Sequence, residues 1–229
     1  MPDTTVKQPL PVIAILGGTG SLGNGLAKRW AKAGYSVVIG SRDALKAEQA
    51  AQTILEQITG SQICGADNLS SAKNADIIVL TVPFANQITT LKEVQGTLKG
   101  KLLIDVTVPL QPPKVGTVQM PPEGSAALRA QALLGEHVDI VSAFQNVSAA
   151  HLNSSHAIDC DVLVTGNSRS AREQVIALIE AIGMRGFHAG PLANSVATEA
   201  LTSVLISINR HHKLDGAGIR ITGNPLSDG

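Results

Sequence analysis

Val12-Ile13-Ala14-Ile15-Leu16 runs straight into Gly17-Gly18-Thr19-Gly20-Ser21-Leu22-Gly23, and this junction decides the fold. Five apolar residues without a charge suit a central parallel strand covered on both faces. Gly18, Gly20 and Gly23 then fall at the spacing of a dinucleotide-binding turn. In that turn the first glycine permits the tight bend and the second lets backbone approach a pyrophosphate. The third lets the following helix pack closely on the strand. The helix N-terminus offers free N–H groups and a partial positive charge to phosphate. Leu22, Leu26, Ala27 and Trp30 give the helix an apolar face, and Gly34 ends it. Val37-Val38-Ile39 supplies a second strand, which completes a nucleotide-binding half-unit.

The far end of that second strand selects the nucleotide. A site for NAD places Asp or Glu there, to accept hydrogen bonds from the ribose 2′-OH. This chain places Gly40-Ser41-Arg42 instead. A hydroxyl beside a guanidinium fork suits a 2′-phosphate. Lys46, one helical turn on, adds a point charge, and Thr19 approaches from the glycine loop. The nearby acid, Asp43, is placed to cap the next helix. NADP(H) is therefore the expected dinucleotide.

Composition narrows the remainder. A chain of 229 residues, 44% hydrophobic and 16% charged, is long and apolar enough to bury a substantial core. Lysine plus arginine equals aspartate plus glutamate, 18 each, so there is no broad electrostatic footprint for nucleic acid. Trp30, Tyr35, Phe84, Phe144 and Phe187 are all the aromatics, too few for a stacking surface. Cys64 and Cys160 lie far apart with no metal-type spacing, and read as buried free thiols in a reducing compartment. Met1 to Leu10 is polar, with no apolar signal segment, and no apolar run approaches the roughly 18 residues of a membrane span. A cytoplasmic location and no membrane partner are the corresponding expectations.

Outward from the first unit, an alanine- and glutamine-rich helical stretch covers 43–57 and a weak strand lies near 62–64. Ala75 to Pro83 and Lys101 to Pro109 each read as a buried strand closed by proline. Their carboxyl ends should face the crevice of the glycine loop, since ligands of open parallel sheets sit there. Between Pro109 and Ser125 five prolines make a long loop, either a binding loop or a passive surface excursion. Ser125 caps a helix through Leu134, and Asp139 to Phe144 is the last strand of this half. A second, smaller α/β layer follows, with strands at 162–165 and 185–188 and a helix at 171–182. A long helix beginning at Asn194 and Ser195 ends at Arg210-His211-His212-Lys213. Its residues Leu201, Val204, Leu205 and Ile208 share one face, a core or subunit-interface stripe that makes a homodimer the expectation. The expected architecture is an α/β, Rossmann-type doubly wound, mainly parallel sheet with a smaller C-terminal α/β portion. The division falls into 1–148, binding NADP, and 149–229.

The chemistry available is narrow. Six scattered histidines show no metal-ligand spacing, and no Gly-x-Ser-x-Gly elbow is present. Thr19-Gly20-x-x-Gly23-x-Gly25 also fits short-chain dehydrogenases, which pair a catalytic Tyr with Lys four residues on. Here Tyr35 is followed at that distance by Ile39, so a carbonyl-reducing site of that kind fails. A bound hydride carrier without an acid to protonate an alkoxide fits a partner that takes hydride on carbon, such as a flavin-like ring.

Gly17 to Ala27, Ile39-Gly40-Ser41-Arg42 and Leu80-Thr81-Val82-Pro83 resemble the NADPH-dependent reductases of coenzyme F420, a 5-deazaflavin. The resemblance continues through Gly124-Ser125-Ala126-Ala127, Ser142-Ala143-Phe144 and the discriminating Ala189-Gly190-Pro191-Leu192-Ala193-Asn194-Ser195. It implies hydride exchange between nicotinamide C4 and deazaflavin C5, with no catalytic side chain and no metal. On the NADP side it implies Gly18, Thr19, Gly20, Ser21, Leu22, Gly23, Ser41, Arg42 and Lys46. At the nicotinamide and deazaflavin side it implies Val82, Pro83, Val108, Gln145, Ser148, Ala149, Asn194 and Ser195. Archaeal members carry a histidine and a proline where this chain has Gln145 and Ser148. The remaining readings are a reductase of free flavin or ferric ion and a non-catalytic NADP-binding sensor.

Overall fold

A computed structural model of the chain describes residues 9–223, so most of the polar N-terminal stretch lies outside the described residues. Its centre is one sheet of eight strands in the order β3-β2-β1-β4-β5-β6-β7-β8. The strands are β1 (Ile13–Leu16), β2 (Val37–Ser41), β3 (Ile63–Asp67), β4 (Ile77–Leu80), β5 (Leu102–Asp105), β6 (Asp139–Ser142), β7 (Asp161–Gly166) and β8 (Arg185–His188). The first six are parallel, and β1 lies between β2 and β4, the point at which a doubly wound sheet reverses its strand order. β1, β4 and β5 are buried along their whole length; β1 and β4 are apolar throughout, and β5 closes its apolar run with the buried Asp105.

Among the described residues, eight α-helices cover the two faces. These are α1 (Ser21–Lys32), α2 (Ala44–Gln57), α3 (Asn68–Lys73), α4 (Phe84–Val94), α5 (Ala126–Leu134), α6 (Ala149–Asn153), α7 (Arg169–Glu180) and α8 (Ser195–His212). Side-chain caps start several of them as the sequence predicts. Asp43 accepts from the Lys46 amide and Ser125 from the Leu128 amide. α3 and α4 are helices that the sequence reading passed over. Both carry start signals, an Asp67 side chain that accepts from the Ser70 amide and a proline at residue 83.

The C-terminal strands do not form a layer of their own. β7 pairs antiparallel with β6 through Val141–Gly166 and Ser142–Thr165, and β8 pairs parallel with β7. One hydrophobic cluster therefore runs from Ile13 and Trp30 across to Val162 and Val175. Trp30 ties α1 to α7: its Nε1 donates to the Leu178 carbonyl at 2.9 Å, and its ring meets Phe144 edge-on at 5.9 Å. Phe144, buried in the turn after β6, holds a left-handed backbone (φ 73°), a conformation that costs a bulky residue energy and that the packing enforces.

One expectation is corrected. Cys160 is buried, but Cys64 is exposed, because β3 is the edge strand. Both thiols are free.

Candidate functional site

The site lies beyond the carboxyl ends of β1, β2, β4 and β5. Gly17 takes the left-handed conformation there (φ +77°), one residue ahead of the first motif glycine. A Cβ on Gly17 would stand 2.7 Å from Val82 Cγ1, so this turn is closed to larger residues by contact as well as by conformation. Gly23 does what its place in the motif demands. A Cβ there would lie 2.5 Å from Thr81 Oγ1 and 2.8 Å from Gly18 Cα, so only glycine lets α1 approach the strand ends this closely. Thr81 Oγ1 in turn donates to the Leu16 carbonyl at 2.9 Å, which locks β4 to β1 at the base of the turn.

Gly20 is the N-cap of α1 and supplies no side-chain cap, so the first-turn amides of Ser21, Leu22 and Gly23 have no intrahelical acceptor. Thr19, Gly20 and Ser21 are exposed beside them. Together they form a backbone cradle for an anion, reinforced by the helix dipole.

Two cavities flank the cradle. The first, about 220 Å³, brings Thr19 and Gly20 together with Ser41, Arg42, Asn68, Thr81, Val82, Pro83, Asn86 and Thr90. Ser41 is buried at the end of β2, its Oγ accepting from the Asp43 amide, while Arg42 is exposed and has no carboxylate partner among the described residues. Lys46 stands nearby on α2, 3.8 Å from Asp43 on the exposed surface, a contact too solvated to hold it. The second cavity, about 590 Å³ and predominantly apolar, continues from Gly20, Ser21 and Leu22 to the far side. Val82, Pro83 and Phe84 form one wall; Val106, Thr107, Val108, Leu110, Pro112 and Val115 form the other. The start of the proline-rich loop is thus part of the cavity wall.

Behind that wall is a buried polar network. Asp105 accepts from the Thr107 amide at 2.9 Å and from Gln87 Nε2 at 2.6 Å. Gln87 also donates to the Ala126 carbonyl at 2.8 Å. Glu199 of α8 accepts from the Ala126 and Ala127 amides at the start of α5. Burial pushes both carboxyls up, Glu199 to about 8.

The remaining expected residues stand elsewhere. Gln145 is buried, with Nε2 given to the Asp105 carbonyl and to Ser142 Oγ, and it lines neither cavity. Ser148 and Ala149 are the N-cap and first residue of α6, which packs on α1 through Asn153 Nδ2 and the Ser21 carbonyl. Asn194 donates to the Ala189 carbonyl, and Ser195 is fully buried with its Oγ 2.6 Å from Ser125 Oγ. Gln145 and Ser148 come together in a third, smaller cavity of about 120 Å³ against Thr202, Leu205 and Asn209 of α8. Asn68, Asn86, Thr90, Phe84 and Thr107 are cavity residues that sequence reasoning missed. The caps of α3 and α4 were the available signal for the first four.

The family model described as NADP oxidoreductase coenzyme F420-dependent matches residues 12–109. The F420-dependent NADP reductase of Methanothermobacter thermautotrophicus is 42% identical over 96% of this chain and 98% of its own length. The protein of the same name from Methanocaldococcus jannaschii is 41% identical over 92% and 97%. A crystal structure described as a putative F420-dependent NADP-reductase from Arthrobacter sp. FB24 superposes with a TM-score of 0.79 at 24% identity, covering 93% of this chain and all of that one. With such identity sustained over nearly its whole length, the chain belongs to the F420-dependent NADP reductase family.

Proposed function

We propose that the protein is an oxidoreductase that transfers a hydride between NADP(H) and coenzyme F420. The observation that carries this reading is the continuity of the site. A phosphate-binding cradle opens on one side to an unpaired arginine and on the other to an apolar cavity of about 590 Å³. The residues fit the dinucleotide. Gly17 and Gly23 leave backbone where a side chain would block it, and the first-turn amides of α1 lack protein acceptors. Ser41 and Arg42, with Lys46 behind them, supply donor and charge for the 2′-phosphate.

When bound, the two coenzymes supply the redox chemistry themselves, a hydride passing between nicotinamide C4 and deazaflavin C5. The protein's part is to position them and keep water out. Val82, Pro83 and Val108 present apolar surface against which flat rings pack, and Phe84, Leu110 and Val115 extend it. No acid or base side chain is required at the reacting carbons, and none of the residues lining the larger cavity is ionisable.

The same proposal includes a homodimer in the cytoplasm. α8 turns Ser195, Thr198, Glu199, Ser203 and Leu205 inward and leaves Val196, Val204 and Ile208 exposed, so only part of its apolar stripe meets the core. An apolar stripe facing outward on a helix is what a symmetric partner covers. Light scattering should report twice the chain mass, and Val204→Glu should shift it to the monomer.

Absorbance of oxidised F420 mixed with NADPH tests the activity. Bleaching of the deazaflavin band is the expected result. A band unchanged at every pH while NADPH still binds would leave only a nucleotide-binding role.

A further inference from the structure

Past their last ladder contact, where the Val106 amide donates to the Leu80 carbonyl at 3.2 Å, β4 and β5 run on into the two walls of the larger cavity. Pro83, Phe84 and Ala85 stand on one side, and Val106, Thr107 and Val108 on the other. A pair of side chains joins those walls from behind. Gln87, one turn into α4 from Phe84, donates Nε2 to Asp105 Oδ2 at 2.6 Å, while Asp105 Oδ1 accepts from the Thr107 amide at 2.9 Å. Gln87 Nε2 also donates to the Ala126 carbonyl at 2.8 Å, which ties the pair to α5. Both side chains are fully buried and line neither cavity, so they reach the site only through the residues that do.

Stability alone does not account for this pair. Burial pushes the Asp105 carboxyl up, and Gln87 Oε1 is left without a hydrogen-bond partner. Apolar side chains of similar volume often hold a core as well as buried polar pairs do. What the hydrogen-bonded pair adds is a fixed geometry. We propose that Gln87 and Asp105 are positioning residues that set the spacing of the two cavity walls, and through it the approach of nicotinamide C4 to deazaflavin C5, an inference resting on the functional reading above. Hydride transfer depends steeply on the distance between donor and acceptor carbons, and a displacement of about 1 Å caused away from the chemistry can cost about 100-fold. The pair makes no hydrogen bond to the glycine turn, Ser41 or Arg42, so nucleotide affinity and hydride transfer should come apart when it is broken.

Single-turnover oxidation of NADPH by saturating F420, repeated with deuterium at the transferred position, tests this beside calorimetric binding of NADP+. Gln87→Met keeps the length of the side chain and removes the donor. It should slow the transfer about 10–100-fold, keep the deuterium isotope effect and leave NADP+ affinity unchanged. Asp105→Asn retains one acceptor of two and should fall between that variant and the wild type. Trp30→Phe, which loses a buried bond remote from both cavities, should transfer hydride at the wild-type rate. A folded Gln87→Met protein with the wild-type rate would overturn the assignment, and so would a slowed rate without an isotope effect or a similar slowing in Trp30→Phe. Should Gln87→Met not fold, a wild-type rate in Asp105→Asn would overturn it. Absence of transfer in the wild-type protein while NADP+ still binds would instead overturn the functional reading.

Discussion

Glu199 Oε2 accepts from the Ala126 amide at 2.6 Å, and through this bond α8 caps the start of α5 from inside the protein. The carboxyl is 1% exposed with no cation beside it, and burial raises its pKa from 4.5 to about 8. An acid raised in this way keeps its proton in the folded state and loses it on unfolding. Its contribution to stability is fully present below about pH 4.5 and is lost as pH rises through about 8. Asp105, the other buried carboxyl facing this network, is raised as well and acts in the same direction. The melting temperature should therefore fall between pH 5 and pH 9. Glu199→Gln should flatten that fall while lowering stability at pH 6 by about 1–3 kcal/mol, because a glutamine can accept only one of the two amide bonds. An unchanged slope in thermal melts across this range would contradict the protonation argument.

Arg42 governs the choice between phosphorylated and unphosphorylated dinucleotide. Replacing it with alanine should weaken NADPH by about 1.5–3 kcal/mol, the range for hydrogen bonds to a charged group, and leave NADH nearly unchanged. Dissociation constants measured for both cofactors decide the matter. Equal losses would mean that the guanidinium does not meet the 2′-phosphate.

Gly23→Ala places a methyl within 2.5 Å of Thr81 Oγ1 and 2.8 Å of Gly18 Cα. The nearer atom belongs to a side chain pinned by its bond to Leu16, and the other is backbone, so α1 must move outward. Overpacking of this kind costs about 1–3 kcal/mol. Urea unfolding should show that loss together with weaker NADP+ binding, since the moved amides are those that face the phosphates. A variant as stable and as tight-binding as the parent would refute the close-approach reading.

Trp30→Phe should separate stability from binding. It deletes the 2.9 Å bond to the Leu178 carbonyl and leaves that buried acceptor unpaired. A loss of about 1–3 kcal/mol in denaturant is expected, with the dissociation constant for NADP+ unaltered, because Trp30 lines neither cavity.

These residues also mark how far the sequence could be read. From Val12 to Arg42 each step is local: an apolar run, glycines at fixed spacing, a helical stripe, a second run. Local pattern sufficed to place Ser41 and Arg42 at the cavity. Asn68 and Phe84 each open a helix, and the start signals, the Asp67 cap and Pro83, sit one residue ahead of them. The junction of β6 and β7 is different in kind. Val141 meets Gly166 across a long excursion of chain, and nothing in either segment encodes that pairing. Gln145 enters through the family resemblance, and no local pattern encodes its bonds to the Asp105 carbonyl and Ser142 Oγ, which join residues of two separate strands.

The antiparallel seam between β6 and β7 has a consequence for turnover. Two lobes that share a sheet and a core have no hinge, so the crevice cannot shut on its ligands as a clamshell does. The strip from Val106 to Val115 carries no helix or strand after β5 and walls the larger cavity, so accommodation of a ligand falls on loop backbone rather than on a swing of one lobe against the other.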